Sequence, residues 1–403
     1  MNLHIRNARL LTLAGSRGPR RGAALRELAV MPKGEVLIVD GKISAVGRRL
    51  HAPLDADVID ARGQVLMPGF VDGHTHACSA GDRLHEWEQK LSGVPYLEIL
   101  KQGGGIHSTV KAVRAATEMK LTENLVERLS MMQGAGTTTV EVKSGYGLNK
   151  ATELKMLRAI RHAAQIWVGT VVPTALLGHA VEGDGETFVQ TTIEEVLPAV
   201  TAAFPGVAVD AFCEDGAWSM ESCVRLFERA QEAGHPVRMH SDQFNSLGMI
   251  PEAIRLGAVS VDHLEAATDD DLGLLANSST MGVILPCTGF HTDGRYARAR
   301  QFVEAGGAVA LATNCNPGSA PCYAMPFAIA LAVRHGGLTP AEAIVACTVN
   351  AAGLLGLHDR GTIEVGQRAD LALLVHRDER ALAHEVGGNP VEWVICGGLL
   401  TQS

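Results

Sequence analysis

The segment Phe70–His76 reads FVDGHTH and closes a short apolar run with two histidines. On an extended strand, residues two apart point the same way. His74 and His76 therefore project together, and two imidazoles on one face make half of a first-row metal site. A lone pair of this kind is common and reads equally well as two polar residues in a loop. Three further polar residues end later apolar runs: His240 in VRMHSDQF, His263 in SVDHLE and Asn314 in ALATNCNPG. Singly, each is also readable as a satisfied core or turn residue. If these runs are strands whose ends converge, histidine nitrogens and one oxygen would hold a zinc or iron ion with a position open for water. Such an ion brings the pKa of water down toward neutrality and makes a nucleophile suited to hydrolysing a C–N bond.

Other residues around this set could hold a substrate. In Lys143–Leu148 (KSGYGL), Tyr146 lies between two glycines, which suits a loop whose backbone comes close to a ligand. Arg83, in AGDRLHEWE, could pair with a ligand carboxylate, although from sequence alone a surface salt bridge reads as well. His179 ends the run TALLGHA, and Asn316-Pro317-Gly318-Ser319 forms a turn with amide and hydroxyl groups beside Asn314.

The elements that must position these residues alternate in kind. Eight short apolar or β-branched runs are read as strands: 70–72, 137–142, 168–174, 207–212, 237–239, 259–262, 282–285 and 309–312. Between them lie helical patterns, such as Leu154, Leu157 and Ile160, then Val224, Leu226, Phe227 and Ala230. This rhythm fits an α/β fold, a (β/α)8 TIM-like barrel, against a doubly wound open sheet as rival. The barrel is favoured because the polar residues fall at the C-terminal ends of the strands, where barrel active sites sit. Both chain ends are β-rich, with Glu35–Val39 and Ile43–Val46 near one and Ala369–Val375 and Val391–Cys396 near the other. The expected organisation is a small β-sandwich domain built from residues 1–66 and 359–403, with the barrel at 67–358.

Composition narrows the function classes. The chain has 403 residues and a net charge of −9 with no basic stripe, which argues against nucleic acid or an anionic membrane as partner. Apolar residues make up 46% and charged residues 20%, as in an ordinary globular protein. No apolar stretch is long enough to span a bilayer, and the N-terminal run is too short for a signal segment. Eight scattered cysteines without a CxxC pair read as reduced thiols, so a cytoplasmic location is expected.

These residues together resemble the amidohydrolase superfamily and, within it, the imidazolonepropionase family of histidine degradation. The resemblance covers essentially the whole chain. It runs from VLMPGFVDGHTH through GDR, GTTTVEVKSGYGL, DAFCE, HSDQ, DHL and NPGS to GTIEVGQRADLALL. The HxH pair and the closing ADL segment are superfamily-wide, whereas the combination of GDR, KSGYG, HSDQ and NPGS is much more specific. The resemblance implies metal-dependent hydrolysis of 4-imidazolone-5-propanoate to N-formimidoyl-L-glutamate, with one zinc or iron ion and a homodimer. It implies His74, His76, His240 and Asn314 as metal ligands, and Arg83, Tyr146, His179, Gln243, Asn316, Gly318 and Ser319 as substrate contacts. The catalytic set it implies is His263, Gln243 and Asn314.

One departure bears on the chemistry. The family has aspartate at position 314, where this chain has asparagine. An amide oxygen can still coordinate a metal, but it cannot accept the proton of an attacking water, and such help is typically worth about 10²–10⁴-fold. Gln243 is also an amide, which leaves His263 as the leading base. The change is what a rate-slowing substitution looks like, in an altered protein or in a divergent relative. Lys143 follows a strand, and some amidohydrolases bridge two metals with a carboxylated lysine, but the KSGYG context matches the one-metal subfamily. Two other readings stand beside the main one. One is another amidohydrolase, a deaminase or a different cyclic amidase. The other is a catalytically weakened homologue with a binding role.

Overall fold

The computed structural model describes residues 2–15, 18–94, 98 and 104–402. Among the described residues, sixteen strands fall into two sheets. In chain order they are β1 (Leu3–Leu11), β2 (Val30–Val39), β3 (Lys42–Gly47), β4 (Asp57–Asp60), β5 (Val65–Pro68), β6 (Phe70–Asp72), β7 (Thr137–Lys143) and β8 (Thr170–Gly178). There follow β9 (Ala208–Cys213), β10 (Val237–Ser241), β11 (Ser260–His263), β12 (Met281–Ile284), β13 (Val309–Leu311), β14 (Leu371–Leu374), β15 (Val391–Cys396) and β16 (Leu399–Gln402).

Strands β6 to β13 pair in sequence order, every neighbour parallel. A parallel bridge between Thr75 and Asn314 brings the first and last of them together. This is the eight-stranded α/β barrel that the alternating pattern predicts, and the open-sheet rival is set aside. Period-two alternation explains what each strand buries. Val140, Val142, Val209, Ala211, Val237, Met239 and Val261 belong to the apolar core shared with the helices. The intervening positions, Glu141, Lys143, Asp210, Arg238, His240 and Asp262, are also buried and interact with one another across the barrel.

The helices form where the apolar spacing predicts them. Lys150–Ile166 and Met220–Glu232 begin at caps whose side chains accept a backbone N–H, Asn149 from Thr152 and Ser219 from Ser222. They bury Met156, Leu157 and Ile160 in one case and Leu226, Phe227 and Ala230 in the other.

The second sheet takes strands from both termini, in the order β16-β15-β14-β5-β1-β2-β3. Strand β1 pairs β4 along Leu3–Arg6 and β5 along Arg9–Leu10, so the sheet forks at that strand. Its arms share one apolar core, which includes Leu3, Ile5, Val36, Ile38, Ile59, Leu371 and Ile395. Strand ends differ from the sequence reading by a few residues. Among the barrel strands the largest difference is β8, which continues through Leu176 and Leu177 to Gly178, because pairing with β9 outweighs their weak strand preference.

Candidate active site

Three carboxylates and two cations inside the barrel form the foundation of the site. Glu141 and Asp210 both accept from the Lys143 ammonium, at 2.8 and 2.7 Å. Arg238 pairs with Asp262 at 2.7 Å and lies 3.4 Å from Glu141. Burial alone would raise the Asp210 carboxyl, but His240 and Lys143 hold it well below the usual carboxylate range. Burial opposes the charge on Arg238, and Asp262 and Glu141 more than restore it.

This layer orients the histidines above it. His74 donates from Nδ1 to Asp262 at 2.6 Å, and His240 donates from Nδ1 to Asp210 at 2.9 Å. Each Nε2 is thereby turned away from its carboxylate. Burial pushes His74, His76 and His240 below the ordinary imidazole value, so they are neutral and can offer lone pairs. One nitrogen from each of His74, His240 and His263 lies within 4.8 Å of the others. His76 stands outside that trio but joins it, its Nε2 being 3.3 Å from the Nε2 of His240. Two nitrogens bound tetrahedrally to one ion at about 2.0–2.1 Å would stand about 3.3 Å apart. The Nε2 of His74 and the Oδ1 of Asn314 are buried with no hydrogen-bond partner among the described residues.

The residues therefore fit a divalent cation on three counts. They include neutral imidazoles anchored by carboxylates from behind, unpaired donor atoms, and one more carboxylate than cations beneath. A carboxylate behind a metal-bound histidine is a recurrent arrangement that fixes the tautomer and raises ligand basicity.

Asn314 lies three residues beyond β13 rather than at its last residue. Its Nδ2 donates to the hydroxyls of Thr288 at 2.8 Å and Ser319 at 3.3 Å. The neighbouring Thr313 is held by Asp72, whose carboxyl burial pushes up to about 7. Backbone strain concentrates at these strand ends, with φ of +94° at His263, +73° at Leu264, +69° at Asn314 and +57° at Asp242. His263 is turned by Glu265, whose carboxylate lies 3.3 Å from its Nδ1.

Arg83, Asn316 and Gly318 line a cavity of about 340 Å³, whose wall also includes Ser79 and Cys315, close in sequence to His76 and Asn314, but none of the five site histidines. Tyr146 connects the two, its hydroxyl bonded to Asn316 and its ring 6.0 Å from His76. His179 donates from Nδ1 to the Gly145 carbonyl at 2.9 Å and stacks on His76 at 5.1 Å. Burial brings His179 to about 3, so its Nε2 is an acceptor at neutral pH. The Asn316 side chain accepts from the Gly318 and Ser319 amides, which shapes the turn. A Cβ on Gly318 would stand 2.8 Å from the Arg83 guanidinium, so that side chain passes close over the glycine and would have to shift for any larger residue.

The profile of the amidohydrolase family matches residues 65–400. The imidazolonepropionase of Herpetosiphon aurantiacus is 45% identical over 409 residues, covering 98% of this chain and 95% of that one. That of Symbiobacterium thermophilum is 45% identical over 405 residues, covering 97% and 95%. The chain belongs to the imidazolonepropionase family of amidohydrolases. Among solved structures, a triazine hydrolase variant superposes with a TM-score of 0.74 at 18% identity, covering 99% of this chain and 94% of that one. The atrazine chlorohydrolase of Arthrobacter aurescens complexed with zinc gives a TM-score of 0.70 at 17%, with coverages of 99% and 94%. At such identities these two share the fold.

Within this amidohydrolase scaffold, sequence reasoning missed the buried carboxylates. Asp262 sits next to His263 in the motif DHL, and Asp210 stands in an otherwise apolar run, so an acid at an inward strand position was the available signal. Glu214 accepts from the Phe244 and Asn245 amides at 2.9 and 3.3 Å and from the Asn245 side chain at 2.7 Å, and so shapes the loop after Gln243. Gln243 itself is buried and forms no hydrogen bond with another described residue. No helix among the described residues is long and apolar enough to cross a membrane.

Proposed function

We propose that this chain hydrolyses the cyclic amide C–N bond of 4-imidazolone-5-propanoate to N-formimidoyl-L-glutamate, at a reduced rate set by Asn314. The observation that carries the reading is a cluster of neutral, carboxylate-anchored histidines beside an arginine-lined cavity, in a chain 45% identical to named imidazolonepropionases. His74, His76, His240 and Asn314 would hold one zinc or iron ion. An ion there supplies Lewis-acid polarisation and lowers the cost of ionising a water. The single-metal reading is supported by Lys143, whose ammonium is engaged by Glu141 and Asp210 instead of facing the histidines as a ligand.

The protein groups divide the remaining work. Arg83 and the Asn316–Ser319 turn bind and orient the substrate. Tyr146 keeps its proton, because burial raises its pKa, and so donates a hydrogen bond. The Nε2 of His179 accepts from a ring N–H of the substrate. His263, turned by Glu265, takes a proton from the attacking water. As the water oxygen joins the ring carbonyl carbon, the C–N bond breaks and the ring nitrogen receives a proton, leaving a carboxylate and the formimidoyl amine. Asn314 is a neutral amide and takes no part in this proton transfer. A cytoplasmic homodimer completes the reading, by likeness to the family.

The test compares turnover of the imidazolone by this chain and by Asn314→Asp, with metal content measured in both. The hydroxyls of Thr288 and Ser319, which accept from the amide here, can rotate to donate to a carboxylate. Expected is a gain in kcat of about 10²–10⁴-fold in the aspartate form. Equal rates would place the proton transfer elsewhere, and no turnover by either metal-loaded protein would exclude this substrate.

A further inference from the structure

The cavity lined by Arg83 also carries Arg128 and Lys90, and the surroundings of its two guanidinium groups differ. Arg83 is already compensated. Its Nη2 lies 2.5 Å from Glu86, which also accepts from the Ser108 hydroxyl at 2.7 Å and the Gly105 amide at 3.1 Å. Its Nη1 donates weakly to Thr109 at 3.4 Å. Arg128, from the helix Glu118–Gly134, hydrogen-bonds only to neutral groups among the described residues. Its Nη1 donates to the carbonyls of Ala77 and Ser79, both at 2.9 Å, and its guanidinium also bonds the Tyr323 hydroxyl. It forms no ion pair with a carboxylate among the described residues.

Three hydrogen bonds leave part of the five-donor guanidinium fork for a ligand. The carbonyls that hold Arg128 belong to the loop directly following His76, so this cation is registered against the histidine cluster itself. A half-buried cation with neutral partners, facing a cavity, favours an anion more than one already paired.

We propose that Arg128 is a specificity-determining residue that binds the carboxylate arm of the substrate, with Arg83 as its neighbour. This rests on the functional reading above for the identity of the substrate, but not for the preference for an anion.

The experiment titrates imidazole-4-propanoate and its uncharged propanamide by calorimetry into this protein, Arg128→Met, Arg128→Gln and Arg83→Met, with kcat and KM for the imidazolone alongside. Losing a charge-assisted hydrogen bond in a partly buried site predicts about ten- to hundredfold weaker binding of the propanoate to Arg128→Met. The propanamide should lose far less, and the kinetic loss should fall mainly on KM. Arg128→Gln, which can still reach a loop carbonyl, should show the same selective loss with a Tm near that of the parent. Equal loss for both probes, or no loss for the propanoate, overturns the proposal and leaves Arg128 a loop fastener. So does a parent protein with no preference for the anion. If the preference depends on Arg128 while the imidazolone is not turned over, the functional reading fails and this assignment stands.

Discussion

Replacing Asp262 by asparagine should weaken metal binding without removing a proposed metal ligand. In the folded protein Asp262 serves three partners: His74 Nδ1 at 2.6 Å, Arg238 Nη2 at 2.7 Å and the Ser260 hydroxyl at 2.5 Å. An amide offers one acceptor oxygen where the carboxylate offers two, and it carries no charge. His74 then loses a charge-assisted partner, and Arg238 keeps Glu141, at 3.4 Å, and its bond to the Ser260 hydroxyl, at 3.1 Å. Loss of such an outer carboxylate typically lowers metal affinity 10–100-fold, or about 1.4–2.7 kcal/mol. Weakening the buried ion pair costs stability separately, by about 3–5 kcal/mol if the pair is lost outright. The two effects separate in a zinc titration against a chelator, run beside thermal melts of metal-free protein. Arg238→Met serves as the control, because it disturbs the same ion pair and leaves the contact between Asp262 and His74 intact. It should lower the melting temperature and change zinc affinity much less than Asp262→Asn does. Parental zinc affinity in a folded Asp262→Asn protein would refute the view that the carboxylate layer orients the ligands.

Glu342 provides a pH-dependent test. Burial would raise its carboxyl, but bonds from Arg300, the Thr339 amide and Arg26 bring it to about 2 from the ordinary 4.5. A depressed carboxyl stabilises the fold above the unfolded-state value, and that contribution is lost as pH falls from about 4.5 through about 2. Glu342→Gln should therefore cost about 3 kcal/mol at pH 7 and progressively less below pH 4.5, read by urea unfolding. A gap that does not vary with pH would contradict the assignment. Gly318→Ala should push the Arg83 guanidinium aside, since the new methyl would lie 2.8 Å from it, and raise KM for the imidazolone more than it lowers kcat. An unchanged KM would show that Arg83 does not touch the substrate.

The barrel and its polar strand ends were legible in the chain alone, because both rest on local periodicity. His74 and His76 lie just beyond β6, on either side of the Thr75–Asn314 bridge, and the two-residue spacing brings their ring centroids to 5.3 Å. The ends of β10 and β11 likewise present His240 and His263 where the apolar runs stop. The asparagine at 314 was visible as a residue type, and so was its lack of a titratable oxygen. Tertiary structure decided which charges face each other, because residues such as Asp210 and Lys143 meet only when separate strands come side by side. It made Asp262 and Asp210 the supports of two histidines and occupied Lys143 with carboxylates. It also set Arg83 against Glu86 while leaving Arg128 among neutral partners. Residue spacing along one strand or helix determines which side chains share a face, whereas the partner of a buried charge is determined by the packing of elements far apart in sequence.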